Sequence, residues 1–256
     1  MPSFPAAEAV VPRLIVLDSA GSTNDELAAL AAAEALPAYT TVVTTDQTAG
    51  RGRRDRAWST PPGRGLAISM LLPLPSPDAA AWLPLATGLA MRDAIAPLVP
   101  AARAAVKWPN DVLLDGRKAC GVLGRLGAAG VVMGAGVNVR LAEDEIPVPT
   151  ATSLTIAGAE DDDLLDDRLL AGYLARLREL VEGLREHGAE ASGLRAAVVE
   201  ACDTIGRAVR VELPDGGELL GTATGIGADA RLAVRRADGA LEHVAAGDVV
   251  HLRATD

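Results

Sequence analysis

Cysteine, histidine and lysine are scarce in this chain, and each scarcity removes a class of function. Two cysteines, Cys120 and Cys202, make neither a disulfide framework nor a zinc site. Three histidines, His187, His243 and His251, are too scattered for metal-ligand spacing, so no protein-bound metal is expected. No apolar run reaches the roughly 18 residues of a membrane span. Residues Met1 to Pro12 carry no positive charge ahead of an apolar stretch, so no secretory signal is expected and the expected location is cytoplasmic. Positive charge is in deficit: 24 Lys and Arg stand against 34 Asp and Glu, a formal net charge of −10 that argues against non-specific nucleic-acid binding. Lysine itself occurs only at Lys107 and Lys118. Arginine serves wherever a generic cation suffices, which makes those two lysines candidates for chemistry.

Leu, Val, Ile and Ala are plentiful. With 49% apolar and 23% charged residues the composition is that of an ordinary globular protein, and 256 residues can bury a core without disulfides or metals. At roughly 150 residues per domain, one or two domains are expected. Arg13 to Asp18 and the β-branched Thr40 to Thr45 read as strands. Between them Thr23-Asn24-Asp25-Glu26 fits a capping box with Thr23 as N-cap, which predicts a helix to about Leu36. Asp46 to Gly65, rich in Gly, Arg and Pro, reads as one long irregular loop; loops of that length are usually functional or disordered. Leu66 to Leu72 reads as a buried strand. Pro77 opens a helix from about Asp78 to Leu98, in which Pro84 is a blemish. Four strands follow, Ala104 to Trp108, Asp111 to Leu114, Lys118 to Leu126 and Gly130 to Val139, with Asp115-Gly116 as a hairpin turn. Leu141 to Thr150 is a Pro-containing loop. Asp161 to Cys202 is helical, broken near His187 and Gly188, and Leu165, Leu169, Leu170, Tyr173, Leu177, Leu180, Val181 and Leu184 form a core stripe on it. Four or five short strands, among them Arg207 to Leu213, Glu218 to Gly225, Arg231 to Arg235 and Leu241 to Val244, predict a small β-barrel. The expected organisation is α+β: a mixed β-sheet with helices packed on it over residues 1–204, then a small barrel over residues 205–256.

Four clusters look like chemistry. Gly50-Arg51-Gly52-Arg53-Arg54-Asp55-Arg56 is a flexible cationic loop. Glycine lets the backbone approach a ligand, and arginine offers a planar fork matched to phosphate and carboxylate. No Gly-Lys-Ser/Thr follows, so it is not a P-loop; alone it reads equally as a solvated basic loop. In the second cluster, Lys107-Trp108-Pro109-Asn110-Asp111 ends a strand and the return strand brings Lys118 near Asn110. A lysine among apolar strand residues is expensive to bury unless an anion meets it; an edge-strand or snorkelling lysine is the plainer alternative. In the third, Gly134-Ala135-Gly136-Val137-Asn138, glycines sit on an apolar strand, where backbone or ligand approaches closely. Neither a helix nor a third glycine follows, so it is not a dinucleotide fingerprint, and packing glycines are an equal reading. The fourth, Ser22-Thr23-Asn24, opens the first helix: capping explains Thr23 locally, and the N–H groups there can also receive an anion or polar ligand. Cys120, with no histidine near it in sequence, reads as a small buried packing residue rather than a nucleophile.

In this order and spacing, Ser22-Thr23-Asn24, Asp46-Gln47-Thr48-Ala49-Gly50-Arg51-Gly52-Arg53, Lys107-Trp108-Pro109-Asn110-Asp111 with Lys118 and Gly121, and Gly134-Ala135-Gly136-Val137-Asn138 resemble the biotin–protein ligases, also called biotin–[acetyl-CoA-carboxylase] ligases, over nearly the whole chain. The resemblance implies a catalytic domain of the class II synthetase/biotin–lipoate ligase type and an SH3-like C-terminal barrel. It implies that biotin's carboxylate attacks the α-phosphate of ATP, giving biotinyl-5′-AMP and pyrophosphate. A lysine of a biotin carboxyl carrier domain then attacks the acyl carbon and AMP leaves. It assigns Lys118 and Arg53 to catalysis. Ser22, Thr23, Asn24, Gln47, Gly50, Gly52 and Gly121 fall with Arg51, Arg53 and Lys118 on the biotin side. Trp58, Asn110, Gly136 and Asn138 fall with the same three cations on the nucleotide side. Magnesium accompanies ATP without a dedicated protein cage. The implied partner is the carrier domain, with no nucleic acid and no membrane, and the chain is a monomer or weak homodimer. A Gly/Arg lid would keep water from the acyl-phosphate anhydride.

Two features depart from or subdivide the family pattern. Asp55 stands where glycine is usual; it can pair with Arg54 or Arg56, or oppose a phosphate. Only about a dozen residues precede the first strand, so no N-terminal winged helix-turn-helix is expected and the resemblance is to the monofunctional form. Two other readings stay open. One is a lipoate or octanoate attachment enzyme, against which the Gly-Arg-Gly-Arg loop and Lys-Trp-Pro-Asn-Asp argue. The other is a non-catalytic biotin-binding regulator, against which Lys118, Arg53 and Asn138 argue.

Overall fold

In the computed structural model the elements run α1 (Pro5–Glu8), β1 (Leu14–Leu17), α2 (Thr23–Ala33), β2 (Thr41–Thr44), β3 (Gly50–Arg51), β4 (Ala57–Trp58), β5 (Gly65–Leu72), α3 (Pro77–Ala80), α4 (Leu83–Ile95), β6 (Ala104–Lys107), β7 (Asp111–Leu114), β8 (Arg117–Gly127), β9 (Gly130–Asn138), α5 (Leu165–Ala191), α6 (Leu194–Ala201), β10 (Ala208–Glu212), β11 (Glu218–Ile226), β12 (Leu232–Arg235), β13 (Leu241–Val244) and β14 (Asp248–His251). The structure describes residues 2–73, 76–213, 216–245 and 247–251, apart from the side chains of Asp55, Pro77 and Asp78. Seven strands form a mixed sheet in the order β1-β2-β5-β9-β8-β7-β6, parallel only between β1 and β2. A separate five-stranded antiparallel sheet, β13-β12-β11-β10-β14, closes the chain. This is the α+β arrangement expected, with the strand content of a small SH3-like barrel at its end.

The two faces of the large sheet are separated by strict alternation. On β5, Leu66, Ile68, Met70 and Leu72 pack into the main core with the buried faces of α4 and α5. Every residue of the expected α5 stripe is buried there. The intervening β5 residues face the other way and change character along the strand. Leu71 packs with Leu27 of α2; Ser69 meets the start of α2; Ala67 reaches open space. Its neighbour β9 repeats the gradient through Val132, Gly134 and Gly136. One half of this face is therefore covered by a helix, and the other half is left as a shallow glycine floor beside that helix's N-terminus.

Several boundaries differ from the sequence reading. Ser22, not Thr23, is the N-cap of α2: its hydroxyl accepts from the Asp25 N–H at 3.4 Å. Ser-x-x-Asp and Thr-x-x-Glu are both cap patterns, and the first one wins. The long loop contains a two-strand hairpin, β3 with β4, around a 3₁₀ turn at Arg53–Asp55. The single helix expected from Asp78 is two, because Pro84 falls in the first turn of α4, where its missing N–H costs nothing. The last helical region starts later, at Leu165, and has a second break where Gly193 adopts φ 77° before α6. The C-terminal sheet has five strands, within the four or five expected, and β14 is the one with no range read from the sequence. Asp115 and Gly116, at φ 48° and 79°, make the expected tight turn.

Candidate functional site

A cleft of about 420 Å³ lies over the glycine floor, within the range of small-molecule sites. Its floor explains the glycines. A β-carbon at Gly134 would overlap the Asn24 carboxamide, one at Gly136 would stand 2.5 Å from the Trp58 indole, and one at Gly121 would stand 3.1 Å from Lys118 Nζ. Gly134 and Gly136 share a face because side chains alternate along β9. They admit Asn24 and Trp58, which line the cleft, close to the sheet.

Lys118 is aimed by a β-bulge. Pairing of β7 with β8 slips between Val112–Cys120 and Leu113–Lys118, so one extra residue is absorbed at Ala119. Lys118 and Gly121, three apart, thereby both line the cleft, while Ala119 and Cys120 stay in the core. The Lys118 backbone is fixed from outside the sheet, its N–H donating to Thr150 O at 2.7 Å and its carbonyl accepting from Thr152 N–H at 2.9 Å. The anion that makes its placement affordable is Asp111, 2.6 Å from Nζ, and the ammonium lies 5.6 Å from the Trp58 ring centroid. Asn110 Nδ2 donates to Val122 O, locking the turn that carries Asp111. Cys120 is fully buried and burial pushes its thiol up, Lys118 opposing. It is a packing residue.

The loop arginines split. Arg51 turns to Asp25 at 3.1 Å, which Arg125 also meets at 2.8 Å. Arg53 reaches Asn110 Oδ1 at 3.3 Å and the Gly247 carbonyl at 3.1 Å. Burial first, then Arg54, push the Arg53 guanidinium below its ordinary range, with Asp111 opposing. It stays charged, and a charged group so placed favours an incoming anion. Lys107, behind the cleft, is likewise pushed down by burial, against Asp111. Around the cleft Arg51, Arg53, Arg56, Lys118 and Arg125 face Asp25, Asp111 and Asp248. The local sign is positive in a chain whose net charge is −10. The Asp55 side chain, expected to bear on this balance, lies outside the described residues.

The opposite end is polar and neutral. Gln47 Oε1 accepts from Thr23 N–H at 2.9 Å and lies 3.3 Å from Thr23 Oγ1. Ser69 Oγ is 2.8 Å from Thr23 Oγ1 and 2.7 Å from Asn24 Oδ1, and Asn24 Nδ2 donates to Leu123 O. The Thr23, Asp25 and Glu26 N–H groups of α2 are thus already bonded within the protein. This end presents polar side chains rather than a bare helix terminus.

Ser22, Thr23, Asn24, Gln47, Arg51, Gly52, Arg53, Trp58, Asn110, Lys118, Gly121 and Gly136 all line this one cleft. Gly50 and Asn138 stand behind it. Gly50 backs onto Gln47 and the Trp58 carbonyl. Asn138 is buried and its amide donates to Thr152 O, the residue that bonds the Lys118 carbonyl. Residues not foreseen are Ser69, Arg125 and Asp248, the last from the C-terminal sheet. A hydroxyl inside an apolar strand and a carboxylate opening a short strand carry no sequence signal.

With this geometry in hand, known proteins are informative. Residues 16–139 match the biotin/lipoate A/B protein ligase family and residues 204–252 the biotin protein ligase C-terminal domain. The chain is 39% identical over 248 residues to the biotin–[acetyl-CoA-carboxylase] ligase of Mycobacterium tuberculosis, covering 94% of this chain and 90% of that one. The structure resembles the biotin protein ligase of Aquifex aeolicus in complex with biotin and ATP, with a TM-score of 0.78, 26% identity and coverage of 95% and 100%. It also resembles the biotin protein ligase of Leishmania major in complex with biotinyl-5-AMP, with a TM-score of 0.58, 25% identity and coverage of 92% and 99%. The motifs, the fold and these matches agree: the chain belongs to the biotin/lipoate A/B protein ligase family and carries that family's biotin protein ligase C-terminal domain.

Proposed function

We propose that this chain joins biotin to a lysine of a biotin carboxyl carrier domain of a carboxylase such as acetyl-CoA carboxylase, through biotinyl-5′-AMP. Biotin's carboxylate oxygen attacks the α-phosphorus of ATP and pyrophosphate leaves. The carrier lysine's amine then attacks the acyl carbon and AMP leaves. The observation that carries this reading is a cleft cationic at one end, around Lys118 and Arg53, and neutral and hydrogen-bonding at the other, around Ser22, Thr23, Asn24 and Gln47. Biotin has that polarity, an anionic carboxylate on one end and a neutral ureido ring on the other.

The residues divide the work accordingly. The first step drives a carboxylate against a polyphosphate, so fixed cations must offset the repulsion and the charge that builds in the transition state. Lys118, a compact charge on a braced backbone, suits the point where carboxylate and α-phosphate meet. Arg53 and Arg51 would cover the adenylate, and Trp58 would offer its exposed face to the adenine. Asn138 would act by holding Thr152 and so Lys118. Magnesium would arrive with ATP: among the described residues no group of three His, Cys, Asp or Glu can hold a metal, so phosphate oxygens and water would supply most of its ligands. No helix among the described residues is long and apolar enough to cross a membrane, and the acidic net charge argues against a nucleic-acid partner.

Mass spectrometry of a biotin carrier domain after incubation with this protein, ATP, magnesium and biotin tests the reading. A gain of one biotinyl group is expected, reduced at least a hundredfold in rate by Lys118→Ala. A gain only with lipoate or octanoate would move the protein to the sister activity, and biotin binding without transfer would make it a regulator.

A further inference from the structure

The arginines that follow Gly52 converge on one carboxylate of the other domain. Asp248, the first residue of β14, pairs with Arg56 and lies 3.8 Å from Arg53 Nη1 and 3.6 Å from Arg54 Nη1. Its side chain is only 17% exposed. The C-terminal sheet backs it up: Arg54 Nη2 donates to the carbonyls of Glu212 and Leu213, both at 2.9 Å, and Glu212 pairs with Asp248 across β10 and β14. Gly247 supplies the carbonyl for Arg53; a β-carbon there would strike Val211 at 2.7 Å, so the chain can pass this close only as glycine.

We propose that Asp248 is a positioning residue for ligation. It gathers Arg53, Arg54 and Arg56 and holds the loop to the C-terminal sheet, so that the cationic edge of the cleft is built before any phosphate arrives. The proposal rests on the ligase reading above. Two observations require an outside anchor. Three guanidinium groups within four residues repel one another, and Arg53 is already penalised by burial and by Arg54. Arg54 also sits at φ 53°, ψ 44°, a left-handed conformation that a non-glycine residue holds only when its surroundings impose it. Glu212 adds a second carboxylate 3.6 Å from Arg54 Nη1, so Asp248 and Glu212 together hold the three arginines against the C-terminal sheet. The C-terminal sheet, which among the described residues brings only Asp248 to the cleft, acquires a role as the frame of the lid.

The test compares full-length wild type with Asp248→Ala, Asp248→Asn and Asp248→Glu. The Ala and Asn variants are expected to raise the KM for ATP and the release rate of biotinyl-5′-AMP about tenfold, while kcat at saturating ATP changes less than threefold. Glu should restore both to within threefold. Without substrates, trypsin should cut after Arg53, Arg54 or Arg56 faster in the Ala variant, at an unchanged thermal midpoint. If the β14 substitutions unfold the sheet, Arg54→Ala probes the same contact from the loop side and should show the same KM shift. Wild-type KM, release and cleavage in these variants would overturn the proposal. A wild-type protein that forms no adenylate would overturn the ligase reading instead, and the cleavage assay would still decide whether Asp248 holds the loop.

Discussion

Trp58 lies directly on Gly136: a β-carbon built at position 136 would stand 2.5 Å from both Cε2 and Nε1 of the indole. The two residues are 78 apart in sequence, and the hairpin of β3 and β4 brings them together. Gly136 has ordinary strand dihedrals, so alanine there meets a steric obstacle and no backbone one. Because Trp58 sits on a short two-strand hairpin, it can swing away rather than unfold the sheet. Gly136→Ala is therefore expected to leave the thermal midpoint within a few degrees and to raise the KM for ATP about tenfold. Trp82 and Trp108 are buried, so a red shift in tryptophan emission would report Trp58 leaving the floor. A red-shifted emission with an unchanged KM would show that the ring does not serve the nucleotide.

Ser69 joins the polar end of the cleft to the helix that frames it. Its buried hydroxyl is the contact shared by Thr23 and Asn24. Removing one partner from a buried polar network costs about 1–3 kcal/mol. Ser69→Ala is expected to weaken biotin binding roughly tenfold by calorimetry, which is about 1.4 kcal/mol, with the KM for ATP unchanged. An equal loss for both substrates would point to general loosening of the sheet instead.

Cys120 neighbours the proposed catalytic lysine in sequence and is insulated from it in space. It is buried, and burial pushes its thiol up so far that Lys118 cannot compensate. Cys202 is also buried and pushed up by burial. Neither offers a thiolate at neutral pH. Iodoacetamide treatment of the native protein should therefore leave both thiols unmodified by mass and ligation unimpaired. Rapid alkylation of Cys120 would mean that β8 opens in solution.

Long-period signals were legible in the sequence and single contacts were not. The α5 stripe spans more than five turns, at about 3.6 residues per turn, so every residue of it could be placed in the core. The glycines at 134 and 136 could be seen to admit something, but which side chains they admit is a fact about Asn24 and Trp58 in other elements. The N-cap shifted by one residue because Ser22 and Thr23 both satisfy the same local rule; that shift frees the Thr23 hydroxyl to meet Gln47 and Ser69. Asp248 was invisible for a different reason. Its significance depends on the packing of a second sheet against a loop nearly two hundred residues earlier, and nothing in β14 itself announces it.

His251 marks the junction between the two sheets and sets an acid limit on stability. Thr204 Oγ1 accepts the Trp108 N–H at 3.1 Å, which leaves its own proton for His251 Nε2 at 3.2 Å. That arrangement suits a neutral imidazole. Burial, then Lys107 and Arg207, push its pKa down to about 4, with Asp203 pulling the other way. The folded value lies below the ordinary 6.5 of an unfolded histidine. Between the two, the unfolded chain binds a proton that the native protein refuses. The stability this group permits is therefore complete above about pH 6.5 and is lost as pH falls toward 4, by on the order of 3 kcal/mol. Asp203 acts in the same direction at lower pH: burial raises it, but Arg207 and Arg103 outweigh burial and hold it below the usual carboxylate range. His251→Gln removes the titration while keeping a side chain able to accept from Thr204. Denaturant midpoints measured from pH 7.5 to 4.5 should fall more steeply for wild type than for His251→Gln, and parallel curves would assign the acid sensitivity to other groups.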